Sequence, residues 1–384
     1  MSMIARRSLL ALATIATVLA AVTAVPFTAR LAVTVEAQQG AAPRPPMFRV
    51  DPSWPSVPND WALGEVTSIA VDSRDHIWVL HRPRSIPEER RANAAPPVLE
   101  FDADGRLVGS WGGPGEGYDW PEREHGIFVD ANGYVWISGN GGWPKPSPGG
   151  STDDMVLKFT ASGKLVRQIG RRGQSSGNAD RENVHQPADV FVHAPTNELF
   201  VADGYGNQRV IVFDAETGAF KRMWGAFGNT PEAPAPGARG AAPASSGPDG
   251  PPQFGLVHAV KVSNDGIVYV ADRSNNRLQT FTTEGKYLRQ VKVTADGDVT
   301  AVPAGFAFSP DPQQRFLYVV DSGPMRVVIF DRESLTQIGA VGMRGPNPGE
   351  FDIVHHMAAD SSGNLYTAEI VTNRRAQKFV RTDD

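Results

Sequence analysis

Apolar and polar residues alternate with a period of two along most of this chain, and short polar turns interrupt the alternation. In "HAVKVSNDGIVYVAD", residues 258–272, one alternating run is followed by a Ser-Asn-Asp-Gly turn and then by a second apolar run. A period of two predicts β-strands, and a short turn of this kind predicts an antiparallel hairpin. We therefore predict an all-β protein.

The same unit occurs six times, with its first strands 46 to 70 residues apart, as in "HGIFVDANGYVWISG" and "HHMAADSSGNLYTAE". A third strand in each unit ends in an aromatic residue: Phe101, Phe159, Phe213, Phe281, Phe330 and Phe379. A fourth strand follows in most units. Six four-stranded units predict a six-bladed β-propeller. A β-sandwich, the alternative all-β fold, does not explain six copies of one pattern.

The sixth unit runs out near Asp384 after three strands. We expect "MFRVDP", Met47–Pro52, to supply the missing strand, because an N-terminal strand in the last blade closes the ring without an open edge. The propeller is therefore predicted to span residues 47–384. The remaining N-terminal residues divide into a signal peptide, 1–37, and a linker, 38–46.

The signal peptide is predicted from a basic pair, Arg6 and Arg7, an apolar run to about Val25, and a small-residue cleavage site at Ala37. The arginine pair is a partial match to the twin-arginine export signal, and an uncleaved anchor is the alternative. We expect the protein to be exported, either periplasmic or secreted. No other apolar run approaches the roughly 20 residues of a spanning helix, so no membrane span is expected in the mature chain.

Net charge and cysteine content indicate which partners to expect and how the fold is stabilised. The formal net charge is -5 with both signs interspersed, so nucleic acid is not an expected partner. The chain has no cysteine, so an exported form depends on packing rather than disulfides. We expect a monomer that binds a small molecule or a peptide.

The first position of the first strand in each unit forms a column. Its six members are Thr67, His125, Ala188, His258, Ala304 and His355. Alternate blades of a six-bladed ring are about 120° apart, so three imidazoles should surround the channel axis at one height. Three nitrogen ligands with an open fourth position are typical of catalytic zinc, although copper, iron or nickel also suit imidazole. The alternative is three unrelated polar channel residues.

The long inserts, such as "PRSIPEERRANAAPP" and "NGGWPKPSPGGSTDD", all fall on the face where these first strands begin. Binding residues concentrate on loops held by a rigid scaffold. Arg82, Tyr205 and Arg273 lie on this face and suit an anionic substrate and a proton transfer. The recurring Asp203, Asp272 and Asp321 are interpreted as structural turn residues.

These residues resemble the peptidyl-α-hydroxyglycine α-amidating lyases, which are NHL-type propellers. The resemblance rests on "LHRP", "EHGIFVD", "HQPADVFV", "LFVADGYGNQR", "VHAVKV", "YVADRSNNR" and "VHHMAAD". It implies cleavage of a C-terminal α-hydroxyglycine to an amide and glyoxylate. It also implies zinc on His125, His258 and His355, a catalytic Tyr205, and active-site arginines at Arg82 and Arg273.

The sequence departs from the family in two respects. Two cysteine pairs of the family correspond here to His185 with Gly206 and to Tyr269 with Thr280. The aspartate that holds a structural calcium in the family is replaced by His356, so calcium is in doubt. We expect His355 but not His356 to be a ligand, because successive strand side chains point to opposite sides.

We therefore predict a zinc-dependent carbon–nitrogen lyase whose substrate carries a terminal carboxylate. Two alternatives stay open. One is a metal-dependent hydrolase of a lactone or ester on the same site, because a fold does not fix a substrate. The other is a non-catalytic NHL propeller that binds a partner.

Overall fold

A computed structural model describes residues 44–58, 60–145, 148–232, 249–294 and 296–383. Within these ranges the chain forms 24 strands in six four-stranded antiparallel sheets, so the predicted six-bladed propeller is confirmed. The predicted signal peptide, 1–37, lies outside the described residues, and so does most of the linker.

The first three blades are built from consecutive strands. Blade 1 contains β2 (Glu65–Val71), β3 (Ile77–Arg82), β4 (Val98–Phe101) and β5 (Leu107–Trp111). Blade 2 contains β6 (Glu124–Val129), β7 (Val135–Gly139), β8 (Met155–Phe159) and β9 (Leu165–Gly170). Blade 3 contains β10 (Asp189–His193), β11 (Glu198–Asp203), β12 (Arg209–Asp214) and β13 (Phe220–Trp224).

Blades 4 and 5 follow the same plan, and blade 6 combines both ends of the chain. Blade 4 contains β14 (Val257–Val262), β15 (Ile267–Asp272), β16 (Arg277–Thr282) and β17 (Tyr287–Lys292). Blade 5 contains β18 (Pro303–Phe308), β19 (Phe316–Asp321), β20 (Arg326–Asp331) and β21 (Thr336–Val341). Blade 6 contains β22 (Ile353–Ala359), β23 (Leu365–Ile370), β24 (Ala376–Arg381) and β1 (Phe48–Asp51).

Short 3-10 helices occupy the connections between strands. They span Pro83–Ser85, Glu88–Asn93, Pro148–Gly150, Ala226–Gly228 and Arg273–Asn275. None of the helices in the described ranges has the length and apolar character needed to cross a membrane.

The ring is closed by β1, as the sequence predicts. β1 pairs antiparallel with β24, with Phe48 opposite Arg381 and Asp51 opposite Lys378. Six apolar clusters fill the spaces between neighbouring blades, including the space between blades 6 and 1, where Trp54 packs with Tyr366. The core is therefore a continuous ring of inter-blade contacts around the channel.

The innermost strands carry a repeated irregularity at the column that contains the histidines. In five blades the pairing of the first strand with the second shifts register at the column residue. Blade 3 differs, because its column residue, Ala188, lies just before the strand begins. The shifts lie between Val66 and Ser68, Glu124 and Gly126, Val257 and Ala259, Pro303 and Phe306, and Val354 and His356. A β-bulge leaves the extra residue unpaired and re-aims its side chain.

Candidate metal centre and active site

The three column histidines meet at the channel axis. The ring centroids of His125, His258 and His355 are 4.7, 4.8 and 5.0 Å apart, a nearly equilateral triangle. One ring nitrogen from each lies within 4.8 Å of the other two, and all three side chains are buried. The structure thus brings together the residues that the sequence placed at one height.

The other three column positions hold these rings in place. Each histidine Nδ1 hydrogen-bonds the main-chain carbonyl of the column residue in the next blade. The pairs are His125 with Ala188 (2.7 Å), His258 with Ala304 (3.1 Å) and His355 with Thr67 (2.6 Å). A carbonyl oxygen only accepts, so each Nδ1 must carry the hydrogen and each Nε2 keeps a lone pair. Fixing the tautomer in this way is typical of metal-ligating histidines.

Gly126 allows the close approach on which the His125 contact depends. A Cβ atom at this position would lie 2.6 Å from Ser138 Oγ and 2.7 Å from the Ala188 oxygen that accepts from His125. The sequence "EHG" therefore places a glycine directly after His125, and this glycine leaves room for the Ala188 carbonyl oxygen that accepts from His125.

Burial determines the charge of the three imidazoles. It lowers the pKa of His125, His258 and His355 well below the usual range. The neighbouring histidines add to this for His125 and His355, and the Arg273 guanidinium adds to it for His258. All three rings are therefore neutral at pH 7, which is the form that binds a metal.

Tyr205 joins the triad through its hydroxyl group. The phenolic oxygen lies 2.9 Å from His125 Nε2 and 3.1 Å from His258 Nε2, and the side chain is 2% exposed. Gly204 allows Tyr205 to reach this position. A Cβ atom at residue 204 would lie 2.0 Å from the carbonyl oxygen of Val257, the residue before His258. The "DGY" motif thus lets the loop lie directly against β14.

Arg273 lies beside Tyr205 and donates a hydrogen bond to its hydroxyl oxygen. Its Nη1 donates to the Tyr205 oxygen at 3.3 Å, and its main-chain N–H donates to the Leu256 carbonyl at 2.8 Å. The guanidinium thus places a positive charge beside the phenolic oxygen.

Arg82 lies on the predicted face, but its guanidinium is occupied by protein partners. Its Nε donates to the main-chain oxygen of Glu124 (2.7 Å), Nη1 pairs with Glu65 (2.7 Å), and Nη2 contacts Asn140 (3.4 Å). The side chain is almost fully buried. Because Glu124 precedes His125, Arg82 supports the strand that presents this histidine.

The orientation of the His356 side chain differs from the prediction. Its side chain was expected to point away from that of His355, yet the two rings lie 5.0 Å apart and His356 stacks on His258 at 5.3 Å. The bulge between Val354 and His356 breaks the alternation, so both residues face the channel. His356 still lies outside the group of ring nitrogens that converge on the axis.

The position of the family's calcium carboxylate is therefore filled by an imidazole. His356 Nε2 is buried and has no hydrogen-bond partner among the described residues. Calcium takes oxygen ligands, and a neutral imidazole is a poor substitute. The residue at this position does not fit a calcium ion.

The aspartate column has a structural role, as interpreted from the sequence. Asp203 pairs with Arg209 at 2.8 Å and Asp272 pairs with Arg277 at 2.8 Å, and all four side chains are buried. The other carboxylate oxygen of Asp203 accepts from the His185 N–H at 2.7 Å. These carboxylates tie the loops between blades to the ends of the second strands.

The two pairs that replace the family's cysteines are neighbours in space. Tyr269 lies directly opposite Thr280 across β15 and β16. The His185 ring lies against Gly206, where an added Cβ would be 2.0 Å from Cδ2, and Nδ1 of His185 pairs with Asp154 at 2.8 Å. Packing and hydrogen bonds therefore join the same chain segments here.

Sequence reasoning missed two residues beside Tyr205, and no repeat signal marks them. The Trp143 ring packs against the Tyr205 ring at 4.7 Å, and the Arg123 guanidinium lies 5.9 Å from the Trp143 ring. Both line a cleft of about 710 Å³ that Arg82 and Glu65 also line. Burial, reinforced by the charge of Arg82, lowers the pKa of Arg123 to about 10.

The donor set at the axis fits a transition metal. Three Nε2 lone pairs face one point, and the single hydroxyl proton of Tyr205 can satisfy one of them. Zinc bound by three histidines with an open fourth position needs these donors, with Zn–N distances of about 2.0–2.1 Å. The structure itself does not identify the metal, because imidazole also suits copper, iron and nickel.

Fold and site together define a β-propeller with a buried three-histidine centre, and sequence comparisons agree with this class. The NHL repeat profile matches residues 254–281. NHL repeat-containing protein 3 of Homo sapiens is 25% identical over 344 residues, covering 87% of this chain and 84% of that protein.

Two further relatives are named for peptide amidation. Peptidyl-alpha-hydroxyglycine alpha-amidating lyase 2 of Drosophila melanogaster is 25% identical over 358 residues, covering 85% of this chain and 73% of that protein. Peptidyl-glycine alpha-amidating monooxygenase A of Xenopus laevis is 26% identical over 346 residues, covering 84% of this chain and 32% of that protein. The chain thus spans about a third of this relative. The resemblance to the amidating-lyase type of NHL propeller is confirmed.

Proposed function

We propose that this protein is a zinc-dependent lyase that cleaves an N-acyl or peptidyl α-hydroxyglycine to an amide and glyoxylate. One observation carries the proposal: three imidazole lone pairs and a phenolic oxygen converge on one point with one proton between them. Such a cluster is electron-rich and buried, and a bound cation would satisfy it.

The chain's own residues suit the proton transfers of this reaction. Zinc bound to the triad would supply Lewis-acid activation of the substrate hydroxyl. Tyr205 in its deprotonated form, with the Arg273 guanidinium beside its oxygen, accepts the hydroxyl proton while the C–O bond becomes C=O and the C–N bond breaks. The departing nitrogen takes the bond electrons and receives that proton from Tyr205, so atoms and charge balance.

Burial of the site supports this chemistry. Tyr205 and the three histidines are buried, and charge interactions between buried groups are stronger than in bulk solvent. Trp143, which packs against the Tyr205 ring, lines the neighbouring cleft. Arg82, which lines the cleft, and Arg273, which donates to the Tyr205 oxygen, bring positive charge to the site, and this suits a substrate with a terminal carboxylate.

One alternative is a non-catalytic binding module. The comparisons suggest it, because NHL repeat-containing protein 3 matches as much of the chain as the named lyases do. A non-catalytic binding module would not need three buried imidazoles with fixed tautomers. A metal-dependent lactone or ester hydrolase is the other alternative, and it would use the same triad with a bound hydroxide instead of Tyr205.

The test uses the metal-loaded protein and a model peptide ending in α-hydroxyglycine. Elemental analysis should find about one zinc per chain, and glyoxylate should form in equal amount to the peptide amide. Tyr205→Phe should keep the metal and lose activity by roughly 10²-fold or more. A metal-free protein would favour the binding module, whereas a metal-containing protein that hydrolyses esters and makes no glyoxylate would favour the hydrolase.

Export to the periplasm or the medium and a monomeric state belong to the same proposal. They are supported by the signal pattern in residues 1–37 and by the closed ring, in which β1 pairs with β24 and completes the sixth blade.

A further inference from the structure

The proposed substrate ends in a carboxylate, and the arginines nearest the triad differ in how free they are to bind it. All three nitrogens of Arg82 have partners within the protein. Arg273 is directed at Tyr205. In the part of the chain that the structure describes, the Arg123 side chain makes one hydrogen bond, from Nη1 to the Trp143 carbonyl at 3.2 Å.

Charge at this end of the cleft is also unbalanced. Glu65 lies 2.7 Å from Arg82 Nη1 but 3.7 Å from Arg123 Nη2, so its carboxylate is hydrogen-bonded to the first arginine and not to the second. The neighbouring Glu124 carboxyl faces the Trp120 indole, to which Oε1 is bonded at 2.8 Å. Two guanidinium groups therefore share one facing carboxylate, which leaves positive charge on Arg123.

Arg123 also lies where a substrate would extend from the reacting centre. Trp143 contacts the Tyr205 ring, with the ring centroids 4.7 Å apart, and the Arg123 guanidinium lies 5.9 Å from the same indole ring. The Arg123 side chain is 28% exposed, whereas the Arg82 side chain is 4% exposed. Of these two, Arg123 is the guanidinium that a ligand can reach without breaking a buried ion pair.

We propose, on the basis of the proposed lyase function, that Arg123 is the residue that binds the substrate carboxylate, while Arg82 positions the strand of His125. The substrate class is an N-acyl α-hydroxyglycine with a free carboxylate. The guanidinium can donate from Nη2 and Nε, neither of which has a hydrogen-bond acceptor among the described residues, and this planar pair matches a carboxylate. Neutral derivatives should therefore be poor substrates.

The test compares N-benzoyl-α-hydroxyglycine with its neutral carboxamide and measures benzamide release from both by the metal-loaded protein. Arg123→Gln should lower kcat/KM for the acid about 10- to 100-fold, mainly through KM, and should change the value for the carboxamide less than about threefold. Arg123→Lys should recover part of the loss. Lys145→Gln, a matched control at the exposed rim of the cleft, removes the same charge and should have little effect.

Equal losses for the acid and the carboxamide in Arg123→Gln would overturn the proposal, and so would an equal effect of Lys145→Gln. Calorimetry with N-benzoylglycine and N-benzoylglycinamide, which cannot react, separates this inference from the proposed function. If the wild type releases benzamide from neither substrate, the lyase function fails. Calorimetry still tests Arg123 in that case: Arg123→Gln should weaken binding of N-benzoylglycine and not that of N-benzoylglycinamide. Unchanged binding of N-benzoylglycine would show that Arg123 does not bind the carboxylate.

Discussion

Gly204→Ala should disable Tyr205 by forcing the Tyr205 loop and β14 apart. The added Cβ would lie 2.0 Å from the Val257 oxygen and 2.5 Å from its nitrogen, whereas real Cβ contacts essentially never fall below 3.0 Å. Both atoms are main chain in a buried strand, so no flexible side chain can yield. The Tyr205 loop and the Val257 main chain must therefore separate by at least about 1 Å, the difference between 2.0 and 3.0 Å.

A displacement of this size is sufficient to break the contacts of the phenolic oxygen. They measure 2.9 Å to His125 Nε2 and 3.1 Å to His258 Nε2, and a hydrogen bond 1 Å longer is effectively lost. Misplacing a reacting group by 1 Å can cost about 10²-fold in rate. Overpacking should also lower the free energy of unfolding by about 1–3 kcal/mol.

The assay is a double-mutant cycle. Glyoxylate release is measured for wild type, Gly204→Ala, Tyr205→Phe and the double variant, all loaded with metal and analysed for metal content. If the glycine acts through Tyr205, the double variant should be no slower than Tyr205→Phe. A fully active Gly204→Ala protein, or losses that simply add, would refute this reasoning.

Three further predictions test other parts of the site. His355→Ala should lose the metal while His356→Ala keeps it, and calcium should not change the melting temperature; the opposite result in either measurement would mean that the two histidines are assigned wrongly. Arg82→Gln should weaken metal binding about 10- to 100-fold by releasing the strand of His125, as judged by chelator competition, whereas unchanged affinity would exclude a positioning role. Burial lowers the pKa of His81 to about 4 from 6.5, so its contribution to stability is fully present above pH 6.5 and is lost as the pH falls towards 4. His81→Gln should therefore remove up to about 3 kcal/mol of the acid-dependent loss in urea unfolding, and equal pH slopes in both proteins would contradict this.

The fold could be predicted because the propeller repeats itself. Each blade carries the same alternation and the same aromatic at the end of its third strand, so the column of His125, His258 and His355 could be aligned by position alone. The carbonyl acceptors could not be predicted in the same way. The acceptors are the main-chain oxygens of Thr67, Ala188 and Ala304. A pattern of side chains does not show which main-chain groups form hydrogen bonds.

The errors and omissions have equally specific causes. The orientation of His356 was wrong because a bulge adds one residue without disturbing the apolar pattern on either side of it. Arg123 and Trp143 were missed because they lie in connections that do not repeat. Their relation to Tyr205 depends on contacts between neighbouring blades, which no local spacing in the sequence describes.

The pairing of β1 with β24 has a consequence for the order in which the protein matures. The ligands His125 and His258 lie in blades 2 and 4, but His355 lies in the blade that needs strands from both ends of the chain. A ribosome-bound chain that stops after blade 5 presents two imidazoles and an unsealed ring. If the triad holds a metal as proposed, tight metal capture would require synthesis of the whole propeller and its final closure, and would therefore report that the chain is complete.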